Sequence, residues 1–200
     1  MSEAIIENHK RYLKRINLYK SFGYDIEGER NFIIGKAEPF GGEILEIGTG
    51  KGYLTIALAK KGYNFTTVDV SGQEQEYARL NIKSLGLEKQ VNFKIENAEK
   101  LSLKDKTFDT IFSVNMVHHL RIFFKVIDEL IRIVSFAGKI ILSDFTKEGL
   151  ELVDKVHASE GRKHGCTQAN LFDINKYFLM KGFKTDKVRD EFQEILIAYY

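Results

Sequence analysis

The chain has 200 residues, a length that fits one domain burying roughly 70% of the surface that its unfolded form exposes. Its 30 basic and 28 acidic residues leave a net charge of +2, without the cationic excess typical of nucleic-acid-binding domains. The single cysteine, Cys166, excludes an internal disulfide, and we find neither a signal peptide nor an apolar run long enough to span a membrane, which favours the cytoplasm.

The first forty residues show helical rather than strand patterns. The segment 22–25 predicts a break after a first helix, one face of which is marked by Ile5, Ile6, His9, Tyr12, Leu13, Ile16 and Tyr19. A second helix is expected before Pro39. We therefore expect residues 1–40 to be a helical segment in front of one compact sheet-containing unit, residues 41–200.

A strand, a glycine turn, a helix and a second strand follow. The apolar run 44–47 breaks into Gly48, Gly50 and Gly52, and the second apolar run ends on Asp69. Glycines after a strand let the backbone adopt positive φ and approach a ligand, and a carboxylate about twenty residues later can accept hydrogen bonds from a ribose. The pattern predicts a βαβ unit that binds an adenosine-type ligand.

The spacing of the glycines separates this turn from a dinucleotide site. A nicotinamide or flavin fingerprint places its third glycine three positions after the second, where this chain has Tyr53. The pattern therefore disfavours both cofactors. The alternative is a tight strand-to-helix connection that binds no ligand, with Asp69 capping the following helix.

The remaining elements alternate between helices and strands. Residues 73–85 predict a helix, and residues 91–95 and 108–114 predict the third and fourth strands. A helix over 123–134 leads through a turn at 137–138 into a fifth strand over 139–144.

Residues 146–170 are polar and are expected to form a loop. Residues 173–181 predict a helix, and the runs 183–189 and 192–199 are close enough to form only an antiparallel hairpin. The predicted fold class is therefore α/β, a Rossmann-like three-layer sandwich with a seven-stranded, mostly parallel sheet.

Four groups of residues resemble the class I S-adenosylmethionine-dependent methyltransferases: residues 46–52, Asp69, residues 97–99 and residues 108–120. The likeness covers about residues 44–145 and is nearest to the branch that includes menaquinone and ubiquinone biosynthesis methyltransferases and arsenite methyltransferases. It implies S-adenosyl-L-methionine as cofactor, S-adenosyl-L-homocysteine as product, and an antiparallel last strand.

The resemblance also implies a set of cofactor-binding residues. Glu46 and the glycine backbone would hold the methionine amine and carboxylate, and Asp69 would accept from both ribose hydroxyls. Asn97 stands where the family usually has an acid that bonds the adenine amino group. The full set is Glu46, Gly48, Thr49, Gly50, Gly52, Asp69, Val70, Asn97, Ala98 and Asn115.

Three residues after the fourth strand are candidates for catalysis. Asn115 is expected at the methyl-donor end of the cleft, and the family often shows a histidine before leucine, as at His119. His118 is the third candidate, and either histidine could instead only order the loop. Methyl transfer mainly demands alignment of nucleophile, methyl group and sulfur, so it does not always require a base.

The polar segment after the fifth strand has no metal-site spacing. His157, Glu160, His164 and Cys166 match no zinc pattern, so we expect no metal there. The resemblance further implies that residues 1–40 form a lid over the cleft.

These observations favour a methyltransferase that acts on a small molecule. Two alternatives stay open: an RNA or protein methyltransferase, if basic residues of the first helix gather beside the cleft, and a non-catalytic subunit that only binds the cofactor. The sequence leaves the acceptor open, and both a monomer and a homodimer are compatible with it.

Overall fold

The computed structural model describes residues 2–163 and 165–200. Within them the helices are α1 Glu3–Ser21, α2 Ile26–Ala37, α3 Tyr53–Lys60, α4 Gly72–Ser84, α5 Phe123–Ile133, α6 Lys147–Ser159 and α7 Leu171–Met180. The strands are β1 Ile44–Ile47, β2 Phe65–Asp69, β3 Val91–Ile95, β4 Phe108–Val114, β5 Val134–Phe145, β6 Lys184–Arg189 and β7 Gln193–Tyr199.

The described strands form one sheet in the order β3-β2-β1-β4-β5-β7-β6. The neighbours from β3 to β5 pair in parallel, and β7 pairs antiparallel with both β5 and β6. The predicted seven-stranded Rossmann-like fold and its antiparallel last strand are confirmed. The carboxyl ends of the parallel strands meet at one edge, where ligands bind in folds of this kind.

Each strand sends alternate side chains to opposite faces of the sheet. In β1, Leu45 and Ile47 enter a core packed by α5 and α7, whereas Ile44 enters a second core packed by α2 and α3. Glu46 shares the second face and is 2% exposed. The only carboxylate of β1 is therefore buried beneath α3, close to the glycine turn.

The two N-terminal helices pack on this second face. The Asn8 amide donates to the Tyr77 carbonyl at 3.1 Å and to Asn81 Oδ1 at 3.0 Å, which fixes α1 against α4. Tyr24, 1% exposed, contacts the rings of Phe145 and Phe192. Helix α1 also contacts α6, so α1 and α6 lie together beside the carboxyl edge of the sheet.

The expected loop over 146–170 was wrong, because much of it is α6. Thr146 caps this helix by accepting from the Gly149 N–H at 3.0 Å. Leu152, Val153 and Val156 are buried at helical spacing. The polar residues between them obscured that spacing in the sequence.

The expected turn at 137–138 was also wrong, since β5 runs through both residues from Val134. Pairing with β4 is irregular near Phe108 and Thr110. A Cβ on Gly138 would lie 2.8 Å from Val134 Cγ2 and 3.0 Å from the Asp109 carbonyl oxygen. Glycine is needed there for close approach within a strand, not for a turn.

None of the helices in residues 2–163 and 165–200 combines the length and apolar character that crossing a membrane requires.

Candidate functional site

The turn after β1 adopts the backbone that its glycines predict. Gly48, Gly50 and Gly52 have φ of 85°, 49° and 85°, in the region that residues with a Cβ rarely adopt. A Cβ on Gly52 would also lie 2.8 Å from Ala78 Cβ, where α3 passes α4. The Gly48 N–H donates to the Val68 carbonyl at 2.8 Å, so the turn is tied to β2.

Asp69 ends β2 beside this turn. Its Oδ2 accepts from the Gly50 N–H at 2.7 Å, and its Oδ1 accepts from the Ser71 N–H at 2.8 Å. The helix-capping role considered for Asp69 belongs instead to Ser71, whose side chain caps α4, and the Asp69 bonds tie the glycine turn to the end of β2. A carboxylate has about four acceptor sites, so Asp69 retains capacity for ribose hydroxyls.

Glu46 lies beneath the turn. Its Oε2 accepts from the hydroxyls of Thr55 and Thr67, both at 2.7 Å. Burial raises the pKa of this carboxyl to about 7, and the two hydroxyl donors oppose that rise. Thr49 is 3% exposed and its hydroxyl lies 2.7 Å from the Thr67 hydroxyl, so only its backbone is placed to meet a ligand.

The predicted adenine residues follow β2 and β3. Val70 is 71% exposed and lines the cavity, as do Asn97 and Ala98. The Asn97 Oδ1 accepts from the Glu99 N–H at 2.9 Å, which fixes the side chain in a local turn. Its oxygen has a second lone pair for an amino group.

Asn115 follows β4 in a left-handed conformation, with φ of 55°. Its N–H donates to the Ser143 carbonyl at 2.8 Å, while its Oδ1 is buried at the cavity and has no hydrogen-bond partner among the described residues. Strained backbone and an unsatisfied buried oxygen are both costly and commonly mark ligand sites.

The two histidines lie in different environments. His118 is 5% exposed, its N–H donates to Asp144 Oδ2 at 2.7 Å, and its Nδ1 lies 2.5 Å from Asp144 Oδ1. His119 is exposed, with Nδ1 3.1 Å from the Gly165 carbonyl oxygen. Both line the cavity, but only His118 is held by a buried carboxylate.

The predicted cofactor-binding and catalytic residues, all except Gly52, line one cavity of about 640 Å³, within the usual range for a small-molecule site. The other wall of the cavity is supplied by α1, Tyr24 after it, α2, α3 and α6, and the sequence analysis singled out neither Arg30 nor Tyr53 of this wall. That wall includes Arg15, Tyr19, Tyr24, Arg30, Tyr53 and His157.

Arg30 is a charged residue of the cavity wall that the sequence analysis did not single out. It is 5% exposed, and its side chain makes one hydrogen bond among the described residues, to the Tyr24 hydroxyl at 3.4 Å, and no ion pair. A buried cation without a carboxylate partner is costly. The sequence does contain a signal for Arg30, because this charged residue falls at helical spacing with Ile26 and Ile33 on the apolar face of α2.

The polar residues at the end of α6 contact Arg15 and Tyr19 of α1. His157 Nε2 lies 3.3 Å from Arg15 and 3.4 Å from the Tyr19 hydroxyl, and Arg15 donates to Glu160 at 2.6 and 2.8 Å. His164 is outside the described residues. Among those described, no three His, Cys, Asp or Glu side chains are grouped to hold a metal.

Comparisons with known proteins agree with this geometry. Residues 45–142 match a family model described as a methyltransferase domain. The chain is 30% identical over 110 residues to methyltransferase GfsG of Streptomyces halstedii, covering 54% of this chain and 40% of that protein. It is 30% identical over 143 residues to the ubiquinone/menaquinone biosynthesis C-methyltransferase UbiE of Zymomonas mobilis, and the match covers 68% of this chain and 57% of that protein.

A solved S-adenosylmethionine-dependent methyltransferase from Aquifex aeolicus shares the fold, with a TM-score of 0.67 at 21% identity over 84% of this chain and 88% of that one. The chain thus spans about two fifths of GfsG and under two thirds of UbiE. The glycine turn, the strand-end acids and the matched family model lead to one conclusion: residues 45–142 of this chain form a methyltransferase domain, in a fold that the chain shares with S-adenosylmethionine-dependent methyltransferases.

Proposed function

We propose that the protein transfers a methyl group from S-adenosylmethionine to a small-molecule acceptor. The observation that carries the proposal is the Asp69 carboxylate, bonded to the Gly50 N–H at 2.7 Å at the edge of a cavity large enough for a small molecule. One acid is thereby fixed to the glycine turn, in the position from which a ribose is recognised.

The residues of the cavity fit the cofactor from end to end. Asp69 would accept from the ribose, and Val70, Asn97 and Ala98 would surround the adenine. Glu46 and the unsatisfied Asn115 oxygen would accept from the methionine ammonium. The turn residues Gly48, Thr49 and Gly50 would bring bare backbone against the methionine, whereas Gly52 does not line the cavity and instead lets α3 approach Ala78.

We assign the methionine carboxylate to Arg30. A carboxylate beside this guanidinium would supply the partner that the described chain lacks, and charge-assisted pairs are the stronger class of hydrogen bond. The burial of Arg30 would keep water from competing for that pair. When bound, the cofactor supplies an electrophilic methyl group, and the chain's task is to align the acceptor and exclude water.

Two features favour a small acceptor over RNA or protein. Helices α1 and α6 lie over the cavity, joined by the bonds from Arg15 to Glu160. The two arginines of α1 are compensated, since Arg11 pairs with Glu7 and Arg15 with Glu160, which lowers the positive charge available to a nucleic acid beside the cleft. The cytoplasmic location stays a prediction.

Label transfer distinguishes the three functions. The protein is incubated with methyl-labelled S-adenosylmethionine and a cell extract, which is then separated into small molecules, RNA and protein. We expect the label in the small-molecule fraction. Label confined to RNA or protein would support the macromolecular alternative, and binding without transfer to any fraction would support a non-catalytic subunit.

A further inference from the structure

We propose that binding of the cofactor's carboxylate is coupled to a proton held between Glu29 and Asp190, and that loss of this proton weakens binding through Arg30. Glu29 is then a positioning residue, which acts on the ligand without touching it. The proposal rests on the proposed function and deepens it, because it adds a proton-dependent control to the Arg30 site.

Arg30 belongs to a chain of buried polar side chains that leads away from the cavity. Its guanidinium donates to the Tyr24 hydroxyl at 3.4 Å, and the Gln193 amide donates to the same hydroxyl at 2.8 Å. The Gln193 side-chain oxygen in turn accepts from the Ser143 hydroxyl at 2.8 Å. These bonds hold Tyr24 between the cavity wall and the hairpin of β6 and β7, and they bring no negative charge to Arg30.

Asp190 lies in the turn of the same hairpin. Its Oδ1 accepts from the N–H groups of Phe192 and Gln193 at 2.9 and 2.7 Å, so backbone donors compensate its charge. Glu29, the residue before Arg30 in α2, hydrogen-bonds to Asp190. Two carboxyl groups share a hydrogen bond only if one of them carries a proton, because an ionised carboxylate has no donor. The pair therefore holds one proton.

Glu29 is the member of the pair whose charge would be left without a donor. Its Oε2 is buried and has no hydrogen-bond partner among the described residues. Burial, followed by the charge and hydrogen bond of Asp190, raises the pKa of Glu29 to about 7, while Arg30 opposes the rise and Asp25 adds to it. The Glu29 charge also adds to the rise that burial causes in the pKa of the Tyr24 phenol. Glu29 therefore loses its proton near neutral pH, beside a cation that lacks a carboxylate partner among the described residues.

These charges fix the direction of the coupling. A ligand carboxylate at Arg30 adds negative charge close to Glu29, so it opposes the ionisation of Glu29. Because coupling between two binding events is reciprocal, ionised Glu29 weakens the binding of that carboxylate by the same factor. Neutral Glu29 leaves Arg30 to the ligand, whereas ionised Glu29 competes for the guanidinium. The Arg30 contribution to affinity therefore declines as the pH rises through about 7.

Glu46 titrates in the same range with the opposite effect. Burial also raises its pKa to about 7, and its ionised form would attract the methionine ammonium. The pH dependence of binding in the wild type alone therefore does not identify Glu29. A variant that removes the Glu29 proton and keeps Glu46 isolates the coupling.

Glu29→Gln is that variant, because its neutral amide can donate to Asp190 at every pH. Calorimetry measures the Kd for S-adenosylhomocysteine at pH 6 and pH 8 in the wild type and in Glu29→Gln. We expect similar values at pH 6, and binding at least about threefold tighter in the variant at pH 8. A substitution that only damaged the structure would weaken binding. Equal or weaker binding by Glu29→Gln at pH 8 overturns the proposal.

Two controls assign the effect to the carboxylate. 5′-Methylthioadenosine has the adenosine and the thioether but no amino-acid part, so its Kd at pH 8 should be the same in the wild type and in Glu29→Gln. Equal tightening of both ligands would contradict a route through Arg30. Glu27→Gln, also on α2, removes a carboxylate that pairs with Lys60 at 2.9 Å and does not line the cavity, and it should bind both ligands as the wild type does.

Proton uptake gives a second measurement. Heats of S-adenosylhomocysteine binding at pH 7, in buffers with different heats of ionisation, report the protons that binding takes up. We expect greater uptake in the wild type than in Glu29→Gln, since the bound carboxylate returns a proton to Glu29. Identical uptake contradicts the coupling.

The same titrations separate two levels of failure. If S-adenosylhomocysteine binds to neither protein at either pH, the proposed function fails. If it binds to both with the same ratio of Kd values between pH 6 and pH 8, the proposed function stands and only the coupling is rejected.

Discussion

Glu46 is a carboxyl group of the cavity that is costly to ionise. It is 2% exposed, and its pKa is raised to about 7 by burial. Between its unfolded pKa and its folded pKa, the folded protein holds a proton that the unfolded chain has lost. Stability from this residue is therefore greatest below about pH 4.5 and declines as the pH rises through the folded value.

Glu46→Gln tests this linkage. In the wild type we expect Glu46 to lower the free energy of unfolding by up to about 3 kcal/mol between pH 4.5 and 8. Urea titrations at several pH values should show a smaller decline in Glu46→Gln. Glu29, whose pKa is also raised to about 7 by burial and by Asp190, is the control, because Glu29→Gln leaves the Glu46 part of the decline in place. Parallel curves for wild type and Glu46→Gln would show that Glu46 ionises as easily in the folded protein as in the unfolded chain.

Asp69 is the residue that we propose binds the ribose. Asp69→Ala removes one charge-assisted bonding site, worth roughly 1.5–3 kcal/mol in total, so the Kd for S-adenosylhomocysteine should rise about 10- to 150-fold. Asp109→Ala is a matched control, since Asp109 likewise accepts from a backbone N–H, that of Glu43 at 3.0 Å, but does not line the cavity. An Asp69→Ala affinity equal to that of the Asp109 variant would exclude Asp69 from ribose binding.

Helix α6 is the element whose start depends on one side chain. Thr146 is 1% exposed, accepts from the Gly149 N–H at 3.0 Å and donates to the Glu191 carbonyl at 2.7 Å. Thr146→Ala loses both bonds and should lower the free energy of unfolding by roughly 1–2 kcal/mol in urea titrations. Thr146→Ser keeps the hydroxyl and should recover most of that loss. Equal destabilisation by both changes would assign the effect to the lost methyl group.

Helices α1 and α6 are expected to respond together to the cofactor. They are joined by Arg15 and Glu160, and both line the cavity. If residues 1–40 form a lid, S-adenosylhomocysteine should slow hydrogen exchange severalfold in peptides from α1 and α6 while leaving α7, on the opposite face of the sheet, unchanged. Unchanged exchange in α1 would mean that this segment does not cover the bound cofactor.

For the molecule as a whole, local patterns predicted the sheet and its glycine turn. These patterns are local, because each depends on residues that are near in the chain: the apolar runs, the glycines at 48, 50 and 52, and Asp69. The part of β5 that runs through Gly138 could not be predicted in this way. Glycine is needed there for close approach to Asp109, which is 29 positions away in the chain.

The pairing of residues in the cavity wall escaped prediction for the same physical reason. His118 was a candidate from the sequence, but it meets Asp144 across 26 positions, and Arg15 meets Glu160 across 145. Such pairs form only when the sheet brings the ends of β4 and β5 together and α6 folds back over α1. The cofactor residues could thus be proposed from local motifs, whereas these pairs and Arg30 required the fold.

The central claim is that this cavity binds S-adenosylmethionine and its product. Isothermal titration calorimetry with S-adenosylhomocysteine tests it most directly. We predict one site per chain with a Kd in the micromolar range, weakened by Asp69→Ala. No detectable heat or competition at millimolar S-adenosylhomocysteine and S-adenosylmethionine, with the protein folded, would contradict the account.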